Sequence, residues 1–314
     1  MTYEKTFAKP IRIGARGSSL SRIQTQHVAQ MLQKAWPSQQ IEIVIIRTRG
    51  DEILEEPLPE IGGKGLFTAE IEAALQSGHI DLAVHSQKDL PVEDSASLAC
   101  ITTTRENPQD ALVSRRGYSL STLPLGASVG TSSTRRAAQL LNLRPDLKLL
   151  NIRGNVDTRV SKALDESGPY DAIVLAFAGL ARLKRLDVVS EALSPDVMLP
   201  APAQGALAVQ YKIASSMAGF LEPIFHMPTH IATLAERTFL QALGGGCSIP
   251  VAAYACLDGD DLLLNGSVLS PDGKKKISVN GRGLPNISGA QELGLRLAEQ
   301  AIQQGAQELL GAIG

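Results

Sequence analysis

Lys88 and Asp89 close the segment Leu82-Ala-Val-His-Ser-Gln-Lys-Asp-Leu-Pro91, in which an aliphatic run turns polar abruptly. Ile80 to Val84 has the length and texture of a buried strand, Gly78 precedes it, and Pro91 stops any helix that would follow. The pair is therefore predicted just past the carboxyl end of a parallel strand, the edge at which open α/β sheets bind ligands. A Lys-Asp pair on a loop also reads as a surface salt bridge, so its meaning depends on the company it keeps. That company is arginine. Three predicted strand-to-helix junctions carry it beside small and hydroxyl residues: Gly14 to Ser19 with Arg16 and Ser18, Gly130 to Arg136 with Thr131, Ser132, Ser133 and Arg135, and Ile152 to Arg159 with Arg153, Gly154 and Asn155. A helix start presents free N–H groups and partial positive charge. Glycine for close approach, hydroxyls and guanidinium forks make each junction a carboxylate or phosphate receptor. With Arg182 after Ala178-Gly179-Leu180, the set suggests a ligand bearing several carboxylates. The competing reading is that these arginines pair with nearby Asp and Glu.

Cys247 lies in Leu243-Gly-Gly-Gly-Cys-Ser-Ile-Pro250, on backbone with almost no side chains to bury it. A thiol at the tip of a glycine-rich loop suits attachment or attack; an inert surface cysteine is the alternative. Cys100 and Cys256 read as ordinary packed cysteines. The five histidines, His27, His79, His85, His226 and His230, show no metal-ligand spacing, and Pro228 interrupts the i, i+4 pair His226 and His230, so no metal is expected. Gly62-Gly63-Lys64-Gly65 lacks the spacing of a phosphate-binding loop.

The elements that must position these residues follow from periodicity. A chain of 314 residues exceeds one ordinary core, and 44% hydrophobic with 20% charged residues describes a globular protein with aliphatic interiors. A net charge of −2 argues against a general nucleic-acid binder. No run approaches the roughly 18 apolar residues of a membrane span. Met1 to Pro10 has no apolar core, so a cytoplasmic, reducing location and free thiols are expected.

Residues 11–16, 18–36 and 41–47 read as strand, helix and strand, a βαβ unit. Residues 51–65 form a loop long enough to suggest function. Helix 66–76, the Lys-Asp strand and strand 98–104 complete a first α/β sheet. After a crossing at Arg105 to Asp110 the pattern restarts with strands at 110–114, 127–130, 149–153 and 170–177 and helices at 132–143 and 156–166. Pro200, Pro202 and Gln204-Gly205 mark a second crossing, and 206–211 reads as a strand returning to the first sheet. A helix at 230–243, three alternating strands at 249–257, 261–269 and 275–281, and a closing amphipathic helix at 289–312 make an α+β part.

Taken together, Gly14 to Ser21, Thr48 to Asp51, Gly62 to Phe67, Ala83 to Pro91, Gly130 to Arg136, Ile152 to Arg159, Ala178 to Leu183 and Gly245 to Pro250 strongly resemble the porphobilinogen deaminase (hydroxymethylbilane synthase) family, in its order. The resemblance implies two periplasmic-binding-protein-like α/β domains, 1–105 with 205–226 and 106–204, and a C-terminal α+β domain, 227–314, with a three-stranded antiparallel sheet. It implies a dipyrromethane cofactor attached to Cys247 through a thioether, onto which four porphobilinogen molecules condense head to tail with loss of ammonia before hydrolysis frees hydroxymethylbilane. Asp89 matches the catalytic aspartate. Arg16, Ser18, Ser86, Lys88, Thr131, Ser132, Ser133, Arg135, Arg136, Arg153, Gly154, Asn155, Arg159, Arg182 and Gln204 match positions that hold cofactor or substrate, and Lys64 falls in a mobile loop over the cleft.

Two departures touch loop geometry and hinge stiffness without removing a chemical group: Gly244 stands where the family usually has an acidic residue, and Pro202-Ala203-Gln204-Gly205 where it commonly reads Val-Gly-Gln-Gly. A monomer with no nucleic-acid or membrane partner is expected. The alternative is a non-catalytic two-lobed polycarboxylate-binding protein; a cysteine hydrolase is more distant, since no histidine is placed to activate the thiol.

Overall fold

The structure, a computed structural model, describes residues 7–48, 68–93, 95–245 and 249–311. The chain divides into two compact units, residues 1–105 with 206–230, and residues 106–205 with 231–314.

In the first unit β1 (Ile11–Arg16) pairs in parallel with β2 (Ile41–Ile46) and β3 (Leu82–Ser86). Helix α1 (Ser19–Ala35) buries Thr25, Val28, Ala29 and Leu32, the i, i+3, i+4, i+7 stripe of an amphipathic helix, against Ile11, Ile13, Leu82 and Val84. The shorter α2 (Ala69–Gln76) covers the opposite face with Ile71 and Leu75 on Ile80 and Ala83. Beyond β3 the order continues through β10 (Leu207–Lys212) to β4 (Leu98–Thr102). The strand expected to return at 206–211 is thus present, but it runs antiparallel to both neighbours, so the sheet is mixed. Cys100, expected to be packed, is exposed on β4, the edge strand of this sheet; Cys256 is half-buried.

The second unit repeats the arrangement. Strand β6 (Ser128–Gly130) pairs in parallel with β7 (Lys148–Leu150) and β8 (Ala172–Ala176), and β5 (Asp110–Ser114) lies antiparallel between β8 and β9 (Glu191–Leu193). Helices α3 (Thr134–Leu143), α4 (Val156–Leu164) and α5 (Phe177–Arg182) follow β6, β7 and β8. In each sheet the inserted antiparallel strand is the one that follows a crossing, β5 after residue 105 and β10 after residue 205.

Beyond the short α6 (Met217–Leu221), α7 (Met227–Ala242) leads to a third sheet of β11 (Val251–Asp258), β12 (Asp261–Leu269) and β13 (Lys276–Gly283), antiparallel throughout. Phe239 from α7 and Leu293 and Leu297 from α8 (Ile287–Gln303) fill the core against Val251, Leu264 and Val268. The closing helix is broken: Gly305, at φ 95°, separates α8 from α9 (Ala306–Gly311).

The β12–β13 turn sits on α3, the helix that carries Arg135 and Arg136. Gly273 has φ 70°, a Cβ there would fall 2.6 Å from the Ala138 carbonyl oxygen, and its own carbonyl accepts from Asn142 Nδ2 at 2.8 Å. Gly273→Ala should therefore lower stability by about 1–3 kcal/mol through backbone strain and displacement from α3. Thermal unfolding checks it; an unchanged midpoint would mean the turn does not need α3.

Candidate active site

The carboxyl ends of parallel strands collect the chemistry in both units. In the first, β1 and β3 are neighbours, so the residues that follow them lie side by side. Ser18 caps α1, accepting from the Ser21 amide at 3.3 Å, while Ser21 Oγ accepts from the Arg16 amide at 2.9 Å. Ser86 ends β3 and its Oγ accepts from Gln24 Nε2 at 2.9 Å. One turn of 3₁₀ helix, Gln87–Asp89, then presents Lys88 and Asp89, as the Lys-Asp motif predicts. Arg16, Ser18, Ser86 and Asp89 line one small cavity of ≈ 80 Å³. Lys88 is half-buried beside it, whereas Asp89 is exposed at its rim. The described residues alone do not shield this carboxylate from water.

His85 lines the same cavity and was passed over by motif reading except as a failed metal ligand. The sequence signal was a polar ring inside the aliphatic strand Leu-Ala-Val-His. It is buried, and among the described residues its Nε2 has no hydrogen-bond partner. Burial pushes the imidazole down to about 4; Gln210 opposes this and the charge of Arg16 adds to it.

In the second unit the three junctions after β6, β7 and β8 also stand side by side. Ser132 Oγ ties two of them, hydrogen-bonding Asn151 Oδ1 at 2.5 Å and the Ile152 carbonyl. Thr131 Oγ1 accepts from the Ser133 amide at 3.1 Å, and Ser133 caps α3 through the Arg136 amide. Asn155 caps α4, accepting from the Thr158 amide at 2.9 Å, and Gly154 turns there with φ 112°. Arg159 Nε donates to the Gly154 carbonyl at 2.8 Å, and Arg153 is half-buried on the same turn. Arg182 Nη2 donates to the Gly205 carbonyl at 2.7 Å; burial pushes its guanidinium down to about 10, against the attraction of Glu106.

Arg135 and Arg136 differ from the expectation of open docking forks. Both are buried and converge on Asp110, which is 0% exposed. Arg135 Nη1 lies 2.8 Å from Oδ2 and Arg136 Nη2 2.7 Å from Oδ1. Arg136 also donates to the Val174 carbonyl at 3.0 Å, and Arg135 to the Leu199 carbonyl at 2.6 Å. Gln204 Nε2 completes the cluster on Asp110 Oδ1 at 3.0 Å. Burial alone would raise the Asp110 carboxyl, but the two guanidiniums hold it well below the usual carboxylate range. Asp110 was not among the sequence candidates, although an acid opening the strand Asp-Ala-Leu-Val-Ser was the visible signal. The pairing with nearby acids is thus realised here, and the cause is placement: β5 runs antiparallel to β8, so its first residue lies at the carboxyl edge where α3 begins.

Among the described residues, two guanidiniums on one carboxylate leave one positive charge in excess, and Arg135 Nε is buried without a hydrogen-bond partner. With Arg153, Arg159 and the hydroxyls of the neighbouring turn, this donor set suits a group carrying several carboxylates. Lys64 and Cys247 lie outside the described residues, as does the loop 51–65. The glycine departure before Cys247 has a local reason: Gly244 follows α7 at φ 99°, where any other residue would be strained.

Asp110→Asn would leave two buried guanidiniums uncompensated and should cost about 3–5 kcal/mol in urea unfolding; a loss below about 1 kcal/mol would show that the cluster holds nothing in place. The His85 imidazole is less basic folded than free, so its share of stability is complete above its ordinary pKa and lost as pH falls from there toward 4. The loss amounts to roughly 3 kcal/mol at most. Urea unfolding at neutral and mildly acid pH should show this slope, and His85→Gln should flatten it.

Residues 11–218 match the family described as "Porphobilinogen deaminase, dipyromethane cofactor binding domain", and residues 230–303 match "Porphobilinogen deaminase, C-terminal domain". The porphobilinogen deaminase of Roseiflexus castenholzii is 46% identical over 303 residues, covering 96% of this chain and 98% of its own. That of Roseiflexus sp. strain RS-1 is 47% identical, covering 95% and 97%, and that of Geobacter metallireducens 44% identical, covering 97% and 95%. These relatives give no support to a non-catalytic binding protein. Matched in both its segments and along nearly its whole length, the chain belongs to the porphobilinogen deaminase family of enzymes.

Proposed function

We propose that this enzyme, a transferase, joins four porphobilinogen molecules head to tail on a dipyrromethane held by a thioether to Cys247. Ammonia leaves at each addition, and hydrolysis frees hydroxymethylbilane. The observation that carries the reading is one cavity bringing a carboxylate, Asp89, together with a guanidinium, Arg16, and the hydroxyls of Ser18 and Ser86. Porphobilinogen needs that combination: cationic and hydroxyl donors for its acetate and propionate, and an acid-base group beside the carbon that loses ammonia.

When bound, the dipyrromethane supplies the free pyrrole carbon at which the chain lengthens. Asp89 faces the positive charge that develops on the incoming pyrrole as ammonia departs, and its carboxylate lowers the energy of that cation. The same oxygen atoms receive the proton displaced at the new carbon–carbon bond. Arg16, Ser18, Ser86 and Lys88 hold the substrate carboxylates, which fixes the reacting carbon relative to Asp89. Thr131, Ser132, Ser133, Arg153, Gly154, Asn155, Arg159 and Arg182 form the polar and charged lining for the side chains of the growing product, and Arg135, Arg136 and Gln204, buried on Asp110, back that lining with their excess positive charge. Asp89 is exposed in the free chain, so water exclusion has to come with loading, from the pyrroles and from the segment 51–65 with Lys64.

The proposal includes the division into domains 1–105 with 205–226, 106–204 and 227–314, a monomer, and a cytoplasmic location. Among the described residues no helix is long and apolar enough to cross a membrane.

The intact mass of the purified protein should exceed that of its sequence by two linked pyrroles, and Cys247→Ala should lose both the added mass and activity. An unmodified, active wild type would overturn the attachment. Asp89→Asn should keep the fold and the added mass while kcat falls by roughly a hundredfold or more; near-normal turnover would remove Asp89 from the chemistry.

A further inference from the structure

Ala203 has φ 63°, in the left-handed region that non-glycine residues seldom occupy, and it is fully buried. Alanine has no polar side chain to stabilise that conformation locally, so its surroundings must hold it. The group that does so comes from α7. Glu236 is 0% exposed, and its Oε2 accepts from the Ala203 amide at 2.6 Å while its Oε1 accepts from the Ala255 amide on β11 at 2.7 Å. A carboxylate bonded to backbone amides is a strong, directional anchor in a buried setting.

The two residues after Ala203 reach the arginines. Gln204 is 0% exposed, and its Nε2 donates to the Pro108 carbonyl at 2.7 Å as well as to Asp110, the partner of Arg135 and Arg136. The Gly205 carbonyl accepts from Arg182 and, at 3.1 Å, from the Glu106 amide. Rotation of the backbone at Ala203 into the ordinary right-handed region would swing both away. We infer that Glu236 is a positioning residue: it locks Ala203 left-handed and thereby sets Gln204 and Gly205 against the arginine cluster, tying that cluster to the third sheet through Ala255. Alanine at 203 thus takes by restraint a conformation that glycine adopts freely.

The functional consequence rests on the proposed role of the arginines in holding pyrrole carboxylates. Glu236→Ala removes both acceptors, and adding Ala203→Gly restores the left-handed conformation without them. Glu236→Ala should raise KM for porphobilinogen about fivefold or more while kcat changes less than twofold. The double variant should return KM to within twofold of wild type, yet keep a lowered thermal midpoint because the Ala255 amide still lacks its acceptor. A purely structural Glu236 would move the midpoint without this KM rescue, and that result, or an unmoved KM, overturns the inference. Hydrogen exchange at the Ala203 and Gln204 amides should quicken tenfold or more in Glu236→Ala, and unchanged protection there also overturns it. If Glu236→Ala does not fold, Glu236→Gln, which cannot accept from both amides, is read by the same measures. A wild-type chain that fails to consume porphobilinogen refutes the proposed function alone, and hydrogen exchange still decides the link from Glu236 to Ala203.

Discussion

A carboxylate with no exposure to water has to be compensated by charge, and Asp110 draws two guanidiniums and a carboxamide to itself for that reason. The consequence spreads through the irregular backbone of the second unit. Arg135 reaches past the carboxylate to the Leu199 carbonyl, Arg136 to the Val174 carbonyl, and Gln204 to the Pro108 carbonyl. Pro108, Val174 and the segment 199–204 are far apart in sequence, yet one charge cluster pins all three. Desolvation consumes much of the Coulombic gain of such a cluster, so its main effect is to select one arrangement of the crossing segments, and removal of one member is costly. One positive charge is left over, which the proposed carboxylate-rich ligand would neutralise.

The sheets supply the second constraint. In each, four of the five strands run the same way, so the turns that follow them gather at one edge. Arg16 and Asp89 come together in one unit, and Ser132 and Ile152 in the other, for the same topological reason. The antiparallel strand in each sheet brings the residues next to a crossing onto that edge. Asp110 begins β5 at the start of α3, and Ala206 accepts from the Gln87 amide beside Lys88 and Asp89. The crossings are therefore part of the site architecture as well as connections.

Helix positions, strand texture and the junction motifs were legible in the amino-acid sequence because they depend on residues within a few positions of one another. The helix beginning at Ser18, the helices that start near 132 and 156, and the halt before Pro91 are of this kind. The family could be read for the same reason, since its motifs are short and contiguous. Four features were decided only in the tertiary structure: the antiparallel course of β5 and β10, the exposure of Cys100 on an edge strand, the inward turn of Arg135 and Arg136, and the handedness of Ala203. Each depends on a partner distant in the chain. Asp110 precedes Arg136 by 26 residues, and Glu236 follows Ala203 by 33. Local sequence determines that an arginine stands at the start of a helix; only the packing of distant strands determines whether its charge meets a ligand or a buried carboxylate.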